Sequence, residues 1–107
     1  MSYMSIGCKS LKELNISNFN TNNVTNMVDM FYNCSSLKEL NLSNFNTNNV
    51  TDMGHMFSEC SSLEKLNLFN FNTNNVIYMA SMLFGCSNNL IRVIKMRYNN
   101  IKDEAFK

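Results

Sequence analysis

The sequence predicts an α/β repeat fold: a solenoid forming one domain over residues 1–107, with short parallel strands on a concave face and short helices or helical turns on a convex face. Three observations carry this expectation. Cys8, Cys34, Cys60 and Cys86 recur every 26 residues. The wording between them recurs too, as CKSLKELNISNFNTNNVTNM, CSSLKELNLSNFNTNNVTDM and CSSLEKLNLFNFNTNNVIYM. Self-similarity at a period of about 20 to 50 residues marks solenoids and arrays, whose units bury their apolar faces only by stacking. Within each unit the apolar spacing also switches once, from the alternation of a strand to the three-and-four spacing of helical structure. The units run 1–26, 27–52, 53–78 and 79–107.

In the second unit Leu37, Leu40 and Leu42 fit L-x-x-L-x-L, the opening of a leucine-rich repeat, which makes this a leucine-rich-repeat solenoid. Leu40 and Leu42 share one side of a short strand and Asn41 takes the other. Phe45 turns back inward, and Asn46, Thr47, Asn48 and Asn49 read as a turn. Val50, Met53, Met56, Phe57 and Cys60 then fall on one face of a short helix or of single helical turns. Stacking the units aligns Leu11, Leu37 and Leu63 in one column, Phe19, Phe45 and Phe71 in a second, and Val24, Val50 and Val76 in a third. The last unit departs from the others. Ile91, Ile94, Met96, Asn99 and Ile101 fit L-x-x-L-x-L-x-x-N-x-L, with Asn99 in place of the phenylalanine and serving backbone groups at the bend. Residues 88–107 therefore read as an irregular, partial C-terminal cap.

The string MFYNCSSLKELNLSNFNTNNVTDM resembles the repeat of the BspA-like leucine-rich-repeat surface proteins, whose units have this length. The resemblance is strong over residues 1–87 and looser beyond. It implies a cell-surface or secreted bacterial protein acting in adhesion and protein binding. Met1 and Met4 align with Met27 and Met30, so the chain starts inside a repeat, as expected of a fragment of a longer array or of an array lacking its N-terminal cap. No signal peptide is legible, because the residues before Cys8 contain neither a positive segment nor an apolar one, and Cys8 is a repeat position instead of a lipid anchor.

Composition excludes several classes. An apolar content of 45% suits a packed protein, and a formal net charge of +1 offers no basic field for nucleic acid. No run of about 18 apolar residues exists to span a bilayer. Cysteines in a line, with Cβ vectors running parallel, disfavour disulfides and cannot surround a zinc ion, so they are expected as a column of buried free thiols. The pairs Met27/Met30, Met53/Met56 and Met79/Met82 read as core packing in preference to a soft-metal site. His55, the single histidine, shares its slot with Tyr3, Asp29 and Ser81, which marks the slot as tolerant and solvated. No nucleophile with a base and no carboxylate pair is placed for catalysis, so neither an enzyme nor a cofactor is expected. The Asn-x-Ser/Thr triplets arise from composition and carry no weight. The columns Asn20/Asn46/Asn72 and Asn23/Asn49/Asn75 are expected to form amide ladders between units.

Binding is expected on the concave face, along Glu13, Glu39 and Lys65, along Asn15, Asn41 and Asn67, and along Ser17, Ser43 and Phe69. Phe69 interrupts a serine column with an aromatic, and Arg97 and Tyr98 fall nearby; aromatics and arginine are the types that dominate binding hot spots. The candidate ligand-binding residues are thus Asn15, Asn41, Asn67, Phe69, Arg97 and Tyr98. Ile77 and Tyr78 are read as packing against the irregular cap. Two functions follow: a non-enzymatic module binding a protein ligand, such as a host or matrix protein, or a structural element that self-associates through exposed edge strands.

Overall fold

A computed structural model of the chain describes residues 10, 12, 14, 16 and 20–107. Strands β1 (Glu39–Asn41) and β2 (Lys65–Asn67) form a parallel pair in the register Glu39 with Lys65, Leu40 with Leu66 and Asn41 with Asn67. Leu40 and Leu66 point inward while their neighbours face out. The strands are short because asparagine ends them. Asn41 Oδ1 accepts the Ser43 N–H and Asn67 Oδ1 accepts the Phe69 N–H, both at 2.9 Å, a local bond that competes with strand extension. Parallel bridges from Asn26 to Asp52 and from Asp52 to Tyr78 keep the same offset elsewhere in the chain.

The wall read as short helices or single helical turns is built of single turns. Residues 53–60 form successive turns, closed by Met56 N–H to Met53 C=O and by Cys60 N–H to Phe57 C=O. Alternate amides leave the turn for the next unit: Met53 donates to Tyr78, His55 to Ala80, Phe57 to Met82 and Glu59 to Phe84, at 2.8 to 3.0 Å. Met27, Asp29, Phe31 and Asn33 do the same toward Asp52, Gly54, Met56 and Ser58. An α-helix would consume those amides within itself. Left-handed residues prevent it, at Asp29 and Asn33, His55 and Glu59, and Ser81 and Gly85. His55 is exposed, as expected of its slot, and Asp29 and Ser81 are half-buried; aspartate, asparagine and histidine enter the left-handed region more readily than most residues. The apolar spacing survives because tight turns point nearly the same positions inward as a helix does.

The expected columns make the core wherever they are described. Val24, Val50 and Val76, Leu37 and Leu63, Phe45 and Phe71, and all three methionine pairs are buried. Phe31 stacks on Phe57 with ring centroids 5.7 Å apart and planes 2° from parallel. Leu11, Phe19, Cys8, Tyr3, Glu13, Asn15 and Ser17 lie outside the described residues.

The amide ladders differ in their pairing. Asn46 and Asn72 each use Oδ1 to close their own turn, accepting the N–H of Asn48 and of Asn74. Their Nδ2 groups therefore reach diagonally, from Asn46 to Asn22 (3.3 Å) and from Asn72 to Asn48 (3.0 Å), and not to the residue 26 positions away. Asn49 and Asn75 donate to the backbone carbonyls of Asn22 and Asn48. Between these asparagines runs a buried threonine stitch. Thr47 Oγ1 donates to the Asn72 carbonyl (3.0 Å) and accepts the Asn72 N–H (2.8 Å), while Thr21 Oγ1 accepts the Asn46 N–H.

Cys60 and Cys86 are buried free thiols, but Cys34 is disulfide-bonded, which corrects the expectation of thiols throughout. The thiols of Cys60 and Cys86 lean along the stack. Cys60 Sγ reaches the Phe31 carbonyl of the preceding unit at 3.1 Å, and Cys86 Sγ reaches that of Phe57 at 3.3 Å.

The C-terminal segment corrects a second expectation. Ile91, Ile94 and Met96, which fit the repeat's L-x-x-L-x-L, lie in helix α1 (Asn88–Arg97). Ser87 caps it by accepting the Leu90 N–H, Leu90 and Ile94 meet the core one turn apart, and Lys95 and Arg97 favour its negative C-terminal end. Asn99 is exposed, and the bend is served one residue later, where Asn100 Nδ2 donates to the Phe71 carbonyl. A final 3₁₀ turn (Asp103–Phe106) continues the turn wall, with the carbonyls of Glu104 and Ala105 accepting from Ser81 and Leu83. Lys95 Nζ lies 4.8 Å from the Phe106 ring centroid, tying this turn to α1. Ile77 and Tyr78, read as packing against this cap, are 63% and 61% exposed.

Candidate functional site

The exposed residues of β1 and β2 and one side of α1 enclose a groove of about 570 Å³. The strands supply Glu39, Asn41, Lys65 and Asn67; the turn after β2 supplies Phe69; the helix supplies Leu90, Val93 and Arg97, with Tyr98 following. Five of the six residues expected from sequence thus share one cavity: Asn41, Asn67, Phe69, Arg97 and Tyr98. The sixth, Asn15, lies outside the described residues.

The geometry follows from local chemistry. Strand alternation drives Leu40 and Leu66 inward and leaves Asn41 and Asn67 facing the groove. The Asx turn at Asn67 holds Phe69 out, 79% exposed. Tyr98 performs a structural task in addition to lining the groove. The Leu42 N–H donates to the Asn67 carbonyl, whereas the Leu68 N–H, with no further strand to meet, donates to Tyr98 Oη at 3.2 Å. The Tyr98 hydroxyl therefore stands in for the missing strand at the end of the sheet.

The charges lining the groove are mostly matched. Lys65 Nζ lies 3.5 Å from Glu39 Oε1, and Lys38 Nζ lies 4.0 Å from Glu64 Oε1, both exposed pairs of small energetic value. Arg97 has no ion-pair partner among the described residues. No three His, Cys, Asp or Glu side chains among them gather in a way that could hold a metal ion. The remaining chemistry of note is buried: burial pushes the Cys60 thiol up to about 11 and the Cys86 thiol to about 12, with the neighbouring Cys60 sulfur adding to the second.

Leu90 and Val93 escape the sequence reading because their segment is fitted there to the repeat's L-x-x-L-x-L. The signal lay in Ser87 followed by Leu90 and Ile94, a helix cap with a four-residue apolar step.

Among the described residues no helix is long and apolar enough to cross a membrane. No curated protein and no solved structure matches the chain. A family model does match, over residues 1–104, and the chain belongs to the family described as "Mycoplasma protein of unknown function, DUF285".

Proposed function

We propose that this chain is a non-enzymatic protein-binding module, a leucine-rich-repeat solenoid of the BspA-like kind that works in adhesion as part of a cell-surface or secreted protein. The observation that carries the reading is the groove, where Asn41, Asn67, Phe69, Arg97 and Tyr98 converge from three separate sequence units. The common 26-residue offset of strands and bridges supports the stacked-repeat part of it. A rigid sheet bearing an exposed aromatic and an arginine suits protein recognition better than catalysis.

The test is surface plasmon resonance of the chain against purified host matrix and serum proteins, with Phe69→Ser as the comparator. Loss of a hot-spot aromatic is expected to weaken binding about tenfold or more. Unchanged affinity would remove the groove from the proposal. A second reading, self-association, is favoured by the exposed Ile77 and Tyr78 more than by the β2 edge, where Tyr98 already occupies the Leu68 amide. Light scattering across a concentration series separates the two, because a strictly monomeric chain eliminates the second.

A further inference from the structure

The unengaged side-chain donors of the groove are the Asn41 and Asn67 amides, the Tyr98 hydroxyl and Arg97, and its side-chain acceptors are the Glu39 and Glu64 carboxylates, which pair with Lys65 and Lys38. Asn41 Oδ1 and Asn67 Oδ1 are held by the Ser43 and Phe69 amides, which fixes the orientation of both side-chain amides. Each Nδ2 then presents two N–H groups, with no acceptor among the described residues, on an exposed side chain. Tyr98 Oη accepts the Leu68 N–H and keeps its own proton to give. Arg97 adds a planar set of donors and is the one charged side chain of the lining with no ion-pair partner among the described residues, Lys65 pairing with Glu39 and Glu64 with Lys38 outside the groove. Beside these donors lie Phe69 and Val93, apolar and exposed.

The complement of a donor set with an uncompensated guanidinium is an anionic, planar acceptor, and a carboxylate meets both requirements. We propose that the groove takes an acidic segment of a partner protein. The carboxylate of an aspartate or glutamate sits on Arg97, the Asn67 and Asn41 amides donate to it and to adjoining carbonyls, and a neighbouring apolar side chain covers Phe69 and Val93. The proposal rests on the protein-binding reading and names the chemistry of the partner. A neutral saccharide is the competing occupant; it would take Glu39 and Glu64 as acceptors and leave the Arg97 charge unmatched.

The experiment is an NMR titration of the ¹⁵N-labelled full chain with three probes: the blocked tetrapeptide Gly-Phe-Asp-Gly, its asparagine counterpart, and cellotetraose. The acidic peptide is expected to move the side-chain amide signals of Asn41 and Asn67 and to bind in about the millimolar range. The asparagine peptide is expected to bind about tenfold more weakly, and Arg97→Gln to shrink that preference to about twofold or less. Arg97→Lys, which keeps the charge and loses the planar fork, should fall between. Equal binding of the two peptides, or a preference that survives Arg97→Gln, would overturn the carboxylate assignment and leave protein binding standing. Shifts from cellotetraose alone would overturn both, and no shift from any probe at about 10 mM would overturn the carboxylate assignment.

Discussion

Replacing Thr47 with valine removes a hydroxyl and almost nothing else. Thr47 is 1% exposed, and its Oγ1 both donates to the Asn72 carbonyl and accepts the Asn72 N–H, so one atom ties two backbone groups of the next unit. Valine fills the same space but leaves both groups without that partner. A net hydrogen bond contributes about 1 kcal/mol, and an abandoned buried group costs about 1 to 3 kcal/mol. Asn72 is half-buried, so water relieves part of the penalty, and the expected loss is about 2 kcal/mol. Two comparators fix the interpretation. Thr47→Ser keeps both bonds and loses a buried methyl, at about 1 kcal/mol. Thr73→Val removes a single 3.3 Å bond to the Asn100 carbonyl from a half-buried side chain, at about 0.5 kcal/mol. Urea unfolding followed by circular dichroism reads all three, with the Thr47→Val midpoint about 1 M below wild type at an unchanged slope. The reasoning is refuted if Thr47→Val costs less than Thr47→Ser, since the methyl and not the stitch would then matter.

Gly85→Ala is expected to cost about 1 to 2 kcal/mol, read by thermal unfolding, because φ is +83° there and a Cβ would lie 2.7 Å from Glu59 Oε2 and 3.1 Å from the Glu59 amide nitrogen. Gly54→Ala, whose Cβ would approach no closer than 3.2 Å to a side-chain oxygen, should cost less; the opposite order would contradict the strain. Tyr98→Phe should cost about 1 kcal/mol and speed hydrogen exchange at Leu68, and an unchanged exchange rate would show that the hydroxyl does not end the sheet. Stability should also fall with alkaline pH through Cys60 and Cys86. Their folded values near 11 and 12 stand above the ordinary 9.0, so the unfolded chain releases these protons first and is favoured as pH rises past 9. Two such groups contribute a loss of about 3 kcal/mol between pH 8 and 10. Urea midpoints of the Cys60→Ala/Cys86→Ala double variant should lack that component, and equal pH slopes for the two proteins would refute it.

Much of this molecule was legible because a period is a strong signal. The 26-residue offset anticipated the strand register, the inward leucines, and the methionine and phenylalanine columns. Apolar spacing could not separate a helix from a run of tight turns, since both point the same residues inward. The distinction lies in φ at Asp29, His55 and Ser81, side chains with little in common. Arg97 was found for a reason that proved incomplete. It was placed near Phe69 by strand register, and it arrives there at the end of a helix. The repeat pattern, carried one unit too far, outweighed the cap at Ser87. The Cys34 bridge was not legible, because an even spacing of cysteines does not say which sulfurs meet.

The central claim is that the turn walls over residues 27–33 and 53–59 are each joined to the following unit by alternate amides, in a fixed register. Through-hydrogen-bond scalar couplings test it directly, in a long-range HNCO spectrum of the labelled chain. The account predicts couplings from the amide nitrogens of Met53, His55, Phe57 and Glu59 to the carbonyl carbons of Tyr78, Ala80, Met82 and Phe84. Couplings from those amides to carbonyls four residues earlier would make the wall helical and contradict it.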